Sequence, residues 1–295
     1  MFNNLSENVI SFSSDLSRVK FRRLPDLKVS TQACDIWDIL LLSPDSLLLS
    51  NWNKGSVQLV DSRTGSTLSE ITVPEGPQSL CRIRREHAAV TTYGNTVQLL
   101  EVRGGRLTPG TVLGVKGSCW GVTSSGDNVV VSYRCPPWLE VVSKDGSVLH
   151  YQESRAAHTF EWPDFLTTSR DGFIFVADRL LYTITKLDSS LKVLQTFSDP
   201  QLSAPRGIIS VSADQLMVCS WSTNSIVHVN VNSGKMTTII GGEYGGLSYR
   251  SLAYCPQQRK LFVCVDNQTD SIQVYQWEWT SLEQRRCETK NNLSL

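Results

Sequence analysis

Six short apolar strands, five of them closed by Ser, Thr or Cys and one by Ala, recur along the chain and limit what it can fold into. They are Leu47-Leu48-Leu49-Ser50, Ala88-Ala89-Val90-Thr91, Val129-Val130-Val131-Ser132, Phe175-Val176-Ala177, Met217-Val218-Cys219 and Phe262-Val263-Cys264. Counted between Leu49, Val90, Val131, Val176, Val218 and Val263, the spacing stays between 41 and 45 residues. A repeat of that length, with several strand-like runs per unit, predicts an all-β, six-bladed β-propeller of four-stranded antiparallel blades. Such a ring reaches this size as one domain. It is expected over residues 18–282, with a flexible leader (1–17) and a flexible tail (283–295).

The first unit shows the four strands. Strand A is Ile36 to Leu42, and Ser43-Pro44-Asp45-Ser46 turns the chain. Strand B is Leu47 to Ser50, and strand C is Ser56 to Asp61. A turn at Arg63-Thr64-Gly65 leads to strand D, Ser66 to Val73, whose polar–apolar alternation suits a half-exposed outer strand. The third unit departs by what reads as an insertion, Arg134-Cys135-Pro136-Pro137. The sixth unit lacks a clear strand D after Trp277. The strand-like run Val19 to Val29 precedes the first strand A and is expected to supply it, closing the ring with both termini.

Charge and cysteine usage narrow the partners. Lys+Arg and Asp+Glu balance at 28 each, so no global field draws the chain to DNA or to a membrane surface. No apolar run reaches the length of a membrane span, and the start lacks the pattern of a secretory signal. The eight cysteines show no CxxC pair, and Cys81, Cys219 and Cys264 sit inside apolar strands. They read as reduced, structural thiols in a cytoplasmic protein. No cofactor is read from the sequence, and the chain is expected to be a monomer.

The run from Trp162-Pro163-Asp164-Phe165 through Asp171-Gly172 to Phe175-Val176-Ala177-Asp178 resembles the NHL repeat. Pro205-Arg206-Gly207-Ile208 to Met217-Val218-Cys219 is similar, and the other units are degenerate versions. The leader Val9-Ile10-Ser11-Phe12 and Leu27-Lys28-Val29 look like the join before the propeller of tripartite-motif proteins. The chain has no RING or B-box spacing and no heptad run. The resemblance therefore implies the partner-selecting part standing alone, and it carries no ligase activity.

Loops before strand A and between strands B and C gather on one face of a propeller. Trp37, Trp120 and Trp162 fall in the first class and are read as packing between blades, joined by Gln78, Arg206 and Arg250. Trp52, Tyr93, Tyr133, Trp138 and Trp221 fall in the second class. These five aromatics, with Arg206 and Arg250, are the expected binding residues, because aromatics and arginine carry most interface energy. The leading expectation is a non-catalytic module that binds a protein or peptide partner. Arg134, Arg179, Arg206 and Arg250 leave single-stranded RNA as an alternative on the same face. A second alternative, a calcium-dependent hydrolase or lactonase, would need Glu161, Asp178, Asn224 and Asp266 to converge on an ion. Of the four histidines, only His158 is expected near that face.

Overall fold

A computed structural model of the chain describes residue 16 and residues 19–31, 34–153, 159–241, 248–266 and 269–278. Most of the leader, the whole tail and His158 lie outside the described residues. Among the described residues, twenty-four strands form six antiparallel sheets of four, and there is no α-helix. No helix there is long and apolar enough to cross a membrane.

The first blade is β2 (Ile36–Ser43), β3 (Ser46–Asn51), β4 (Ser56–Asp61) and β5 (Thr67–Thr72), in that spatial order. These bounds match the four strands read from the first repeat. Gly65 closes the last turn with φ +74°, a backbone state that side chains rarely adopt. The third repeat differs from its reading. Strand β11 (Asn128–Arg134) runs directly to β12 (Pro137–Val142), so Arg134 to Pro137 holds only a two-residue turn at Cys135 and Pro136, not an insertion.

Strand B of each blade is buried on both faces. Strand β3 and the fifth blade's β19 (Gln215–Ser220) expose almost nothing, because neighbouring blades cover them from either side. That is why these segments are continuous apolar runs rather than alternating ones. Outer strands such as β5 alternate between exposed and half-buried residues. The apolar cores lie between blades. One joins Met217 and Cys219 of the fifth blade to Leu252, Leu261 and Val263 of the sixth. Each such side chain contributes roughly 1.5–3 kcal/mol on burial. Seven described cysteines are free and all but Cys135 are buried; burial pushes the Cys81 thiol up to about 12.

The sixth blade consists of β22 (Tyr249–Cys255), β23 (Lys260–Val265), β24 (Ser271–Glu278) and, as its outer strand, β1 (Lys20–Lys28). Antiparallel pairing runs from Lys20 opposite Glu278 to Lys28 opposite Ser271. The N-terminal strand thus closes the ring. Leu16 is buried as well, and its amide donates to Gln215 Oε1 in the fifth blade. The A strands of the remaining blades are β6 (Pro77–Arg84), β10 (Cys119–Ser125), β14 (Pro163–Thr168) and β18 (Pro205–Ser212). Together β2, β6, β10, β14, β18 and β22 touch in a closed circuit around the central channel.

Candidate functional site

Strand register converts the repeat into two tiers of side chains at one mouth of the channel. The apolar anchors of strand B pair across to Ile39, Leu80, Val122, Leu166, Ile208 and Leu252 of strand A. Two residues before these lie Trp37, Gln78, Trp120, Asp164, Arg206 and Arg250, one from each blade. All six line a cavity of about 260 Å³. Three residues after each strand-B anchor lie Trp52, Tyr93, Arg134, Arg179, Trp221 and Asp266, the second tier.

The two tiers divide the mouth into an aromatic half and a cationic half. Trp37 stacks on Trp52 with ring centres 4.6 Å apart and lies 5.8 Å from Trp120. Tyr93 meets Trp52 and Trp120 edge-on, at 5.4 and 6.4 Å. These four rings make a closed quartet across the first three blades. Beyond it the arginines interleave with tryptophans. Arg134 covers Trp120 and Trp162, Arg179 covers Trp162 and Trp221, and Arg206 covers Trp221 at 5.0 Å. Arg250 returns to Trp37 at 4.8 Å. Each ring face attracts the guanidinium laid on it.

Carboxylates neutralise only part of this charge. Arg134 Nε donates to Asp164 Oδ1 at 2.5 Å. Arg250 donates to Asp35 Oδ1 at 2.6 Å and to Asp266 Oδ1. Arg206 lies 3.6 Å from Asp266, which also accepts from Trp221 Nε1. Arg179 has no carboxylate within ion-pair distance among the described residues. Burial, and then the neighbouring Arg179 and Arg250 cations, pull Arg206 down to about 9. Burial raises Asp164 above the usual carboxylate range, opposed by Arg134. Among the described residues, three side chains lining this mouth carry buried atoms without a hydrogen-bond partner: Gln78 at both amide atoms, Arg206 at Nε and Arg250 at Nε. Gln78 is only 2% exposed. A buried amide with neither its donor nor its acceptor satisfied is costly and needs a reason.

Of the expected binding residues, Trp52, Tyr93, Trp221, Arg206 and Arg250 gather at this mouth. Tyr133 and Trp138 do not. Tyr133 is 1% exposed, lies against Trp138 at 4.6 Å and donates its hydroxyl to Glu140. Successive strand residues point to opposite faces, so the position that faces the mouth is Arg134, one residue on. Trp138 packs on Tyr133, under Lys116. The tryptophans read as packing between blades, Trp37, Trp120 and Trp162, instead line the cavity. Trp162 was set level with Trp37 in the sequence; register places Asp164 there.

The acidic set considered for a cation does not converge. Asp178 is buried and accepts from the amides of Glu161, Trp162, Leu180 and Leu181, so its carboxylate serves the loop. Asp266 is engaged by two arginines and an indole, and Glu161 is exposed. Among the described residues no three acidic, His or Cys side chains are placed to hold a metal ion. The described histidines lie elsewhere: His228 is buried against Gln215, His87 faces Glu101, and His150 sits on an outer strand.

No family model matches the sequence, and no curated protein does. Solved structures do match. A streptogramin B lyase superposes with a TM-score of 0.63 at 12% identity, covering 90% of this chain and 100% of that one. A catalytically inactive virginiamycin B lyase from Staphylococcus aureus, solved with quinupristin, gives 0.60 at 15% identity over 87% and 89%. Hydrazine synthase from Kuenenia stuttgartiensis gives 0.62 at 17% identity over 80% and 75%. At such identities the likeness is one of fold. It corrects the expectation of a non-catalytic chain, because enzymes carry this same propeller.

Proposed function

We propose that this propeller binds a partner protein by holding an acidic segment of it at the Trp/Arg mouth. The observation that carries the reading is Arg179. It is a half-buried cation held against Trp162 and Trp221, without a carboxylate of its own among the described residues. An incoming carboxylate would gain a charge-assisted hydrogen bond there, in a site already walled by rings. The exposed Tyr93 and the half-buried Trp52 and Trp221 supply apolar area around it. The repeat pattern resembling NHL propellers points the same way. The fold shared with a lyase solved with quinupristin fits a propeller that takes a ligand.

The peptide reading is favoured over RNA by charge. Three of the four mouth arginines already face carboxylates, so a phosphate chain would find one free cation rather than a track. The test is fluorescence anisotropy with short acidic peptides, basic scrambles of them, and oligouridylate. Acidic peptides should bind, and Arg179→Ala should weaken them about tenfold. Trp221→Ala should cost about 2 kcal/mol, whereas Trp138→Ala should cost nothing. Equal binding of acidic and basic peptides, or tighter binding of the RNA, would overturn the reading.

A further inference from the structure

Blades two and five stand opposite each other in the closed circuit of A strands, three steps apart in either direction. The second blade offers Gln78 and the fifth offers Arg206 to the same cavity. Both carry buried polar atoms without partners: Gln78 Oε1 and Nε2 on one side, Arg206 Nε on the other. Trp37, Trp120, Trp162 and Phe165 line the same cavity.

Each group states what would satisfy it. Gln78 needs a donor for Oε1 and an acceptor for Nε2, and the N–H of a peptide amide supplies the first. Arg179 needs an anion, and Arg206, which meets Asp266 only at 3.6 Å, can share it. A cavity of about 260 Å³ lies just below the roughly 300 Å³ at which drug-sized pockets begin, a volume that suits a chain end. An amide and a carboxylate on opposite sides of one apolar residue describe the end of a polypeptide.

Resting on the peptide-binding reading above, we infer that the mouth takes a partner's C-terminal residue, its carboxylate held between Arg206 and Arg179 and its amide paired with Gln78. The amide N–H donates to Gln78 Oε1; in a trans amide the carbonyl oxygen points the other way. The terminal side chain lies against the tryptophans. Lowered proton affinity at Arg206 agrees with this: burial lowers it first, and the neighbouring Arg179 and Arg250 cations add to the effect.

Three small probes separate the contributions: N-acetylphenylalanine, its C-terminal amide, and phenylpropionate, which keeps the carboxylate and ring but has no peptide amide. Binding is read by calorimetry or by tryptophan fluorescence. N-acetylphenylalanine should bind, and amidation of its carboxylate should weaken it at least about tenfold. Phenylpropionate should bind about tenfold more weakly than N-acetylphenylalanine. Gln78→Leu should remove that difference. Equal binding of the acid and its amide overturns the proposal. So does equal binding of N-acetylphenylalanine and phenylpropionate to the unaltered protein, which needs no variant to fold. If internally acidic peptides with amidated ends bind through Arg179 while N-acetylphenylalanine does not, the chain-end proposal fails and the acidic-segment reading stands. If neither binds, both fail.

Discussion

The guanidinium of Arg134 lies 3.1 Å from the centre of the Trp120 ring. Trp162 flanks it at 4.5 Å, and its Nε reaches Asp164 in the next blade. The side chains of this ion pair are 13% and 2% exposed, so water does little to screen either charge. Asp164 is one of the six side chains of the inner tier, and Arg134 is what keeps its carboxylate tolerable there. The mouth is thus held by interactions that cross from blade to blade.

Removing one member of that pair should therefore be costly. Arg134→Ala leaves a buried carboxylate without its cation and is expected to lose roughly 3–5 kcal/mol. Adding Asp164→Asn to it should restore part of the loss. Urea unfolding of the two variants checks this; a single-variant loss under about 1 kcal/mol would contradict the buried-pair account.

Gly207 lies in the A strand of the fifth blade and faces the A strand of the sixth. A Cβ there would stand 2.5 Å from Ser251 Cα and 2.8 Å from the Arg250 carbonyl oxygen. Both are backbone atoms and cannot swing away. Gly207→Ala should cost about 1–3 kcal/mol and shift Arg250, weakening peptide binding along with stability. Full stability in this variant would mean that the inner strands are packed more loosely than the geometry gives.

Apolar strand-B runs, turn residues and the closing strand were legible because each depends on local pattern. A strand covered on both faces must read as Leu47-Leu48-Leu49, and Gly65 announces its turn. The composition of the mouth was harder. Placing Tyr133 at the mouth alongside Arg134 is a slip of one residue, and in a strand one residue reverses the face. Setting Trp162 level with Trp37, where Asp164 belongs, is a slip of two. Counting outward from the apolar anchors, rather than matching tryptophans, would have placed both. The Arg–Trp circuit itself has no local signal, since Arg250 meets Trp37 only because the ring closes.

Asp38 carries a pH dependence that can be isolated. Its carboxylate is buried and accepts from Ser79 Oγ and the Leu80 and Ile39 amides, and from Ser251 Oγ of the sixth blade. Burial outweighs these bonds and raises it from 3.8 to about 6. The folded chain then holds a proton that the unfolded chain has released, so stability falls as pH rises between about 4 and 6. The loss attributable to this group is roughly 3 kcal/mol and persists at neutrality. Unfolding free energies across that window should slope less in Asp38→Asn than in the unaltered protein. Parallel slopes would show that Asp38 ionises normally in the fold.

Arg206 is the position where binding and stability should part. Burial and two neighbouring cations lower it from 12.5 to about 9, so it remains charged at neutral pH at a cost to the fold. Its contact with Asp266 is long, and Asp266 keeps Arg250 when Arg206 is removed. Arg206→Met fills the same volume against Trp221 without the charge. The variant should be about 1–4 kcal/mol more stable at neutral pH, while its affinity for carboxylate probes collapses. Above about pH 9 the folded protein sheds the Arg206 proton and the unfolded chain keeps its own, so the unaltered protein gains stability and the gap narrows. Denaturant midpoints on either side of that pH measure both effects. A Met variant less stable than its parent would mean that Arg206 is retained to hold the blades together, not to meet a ligand.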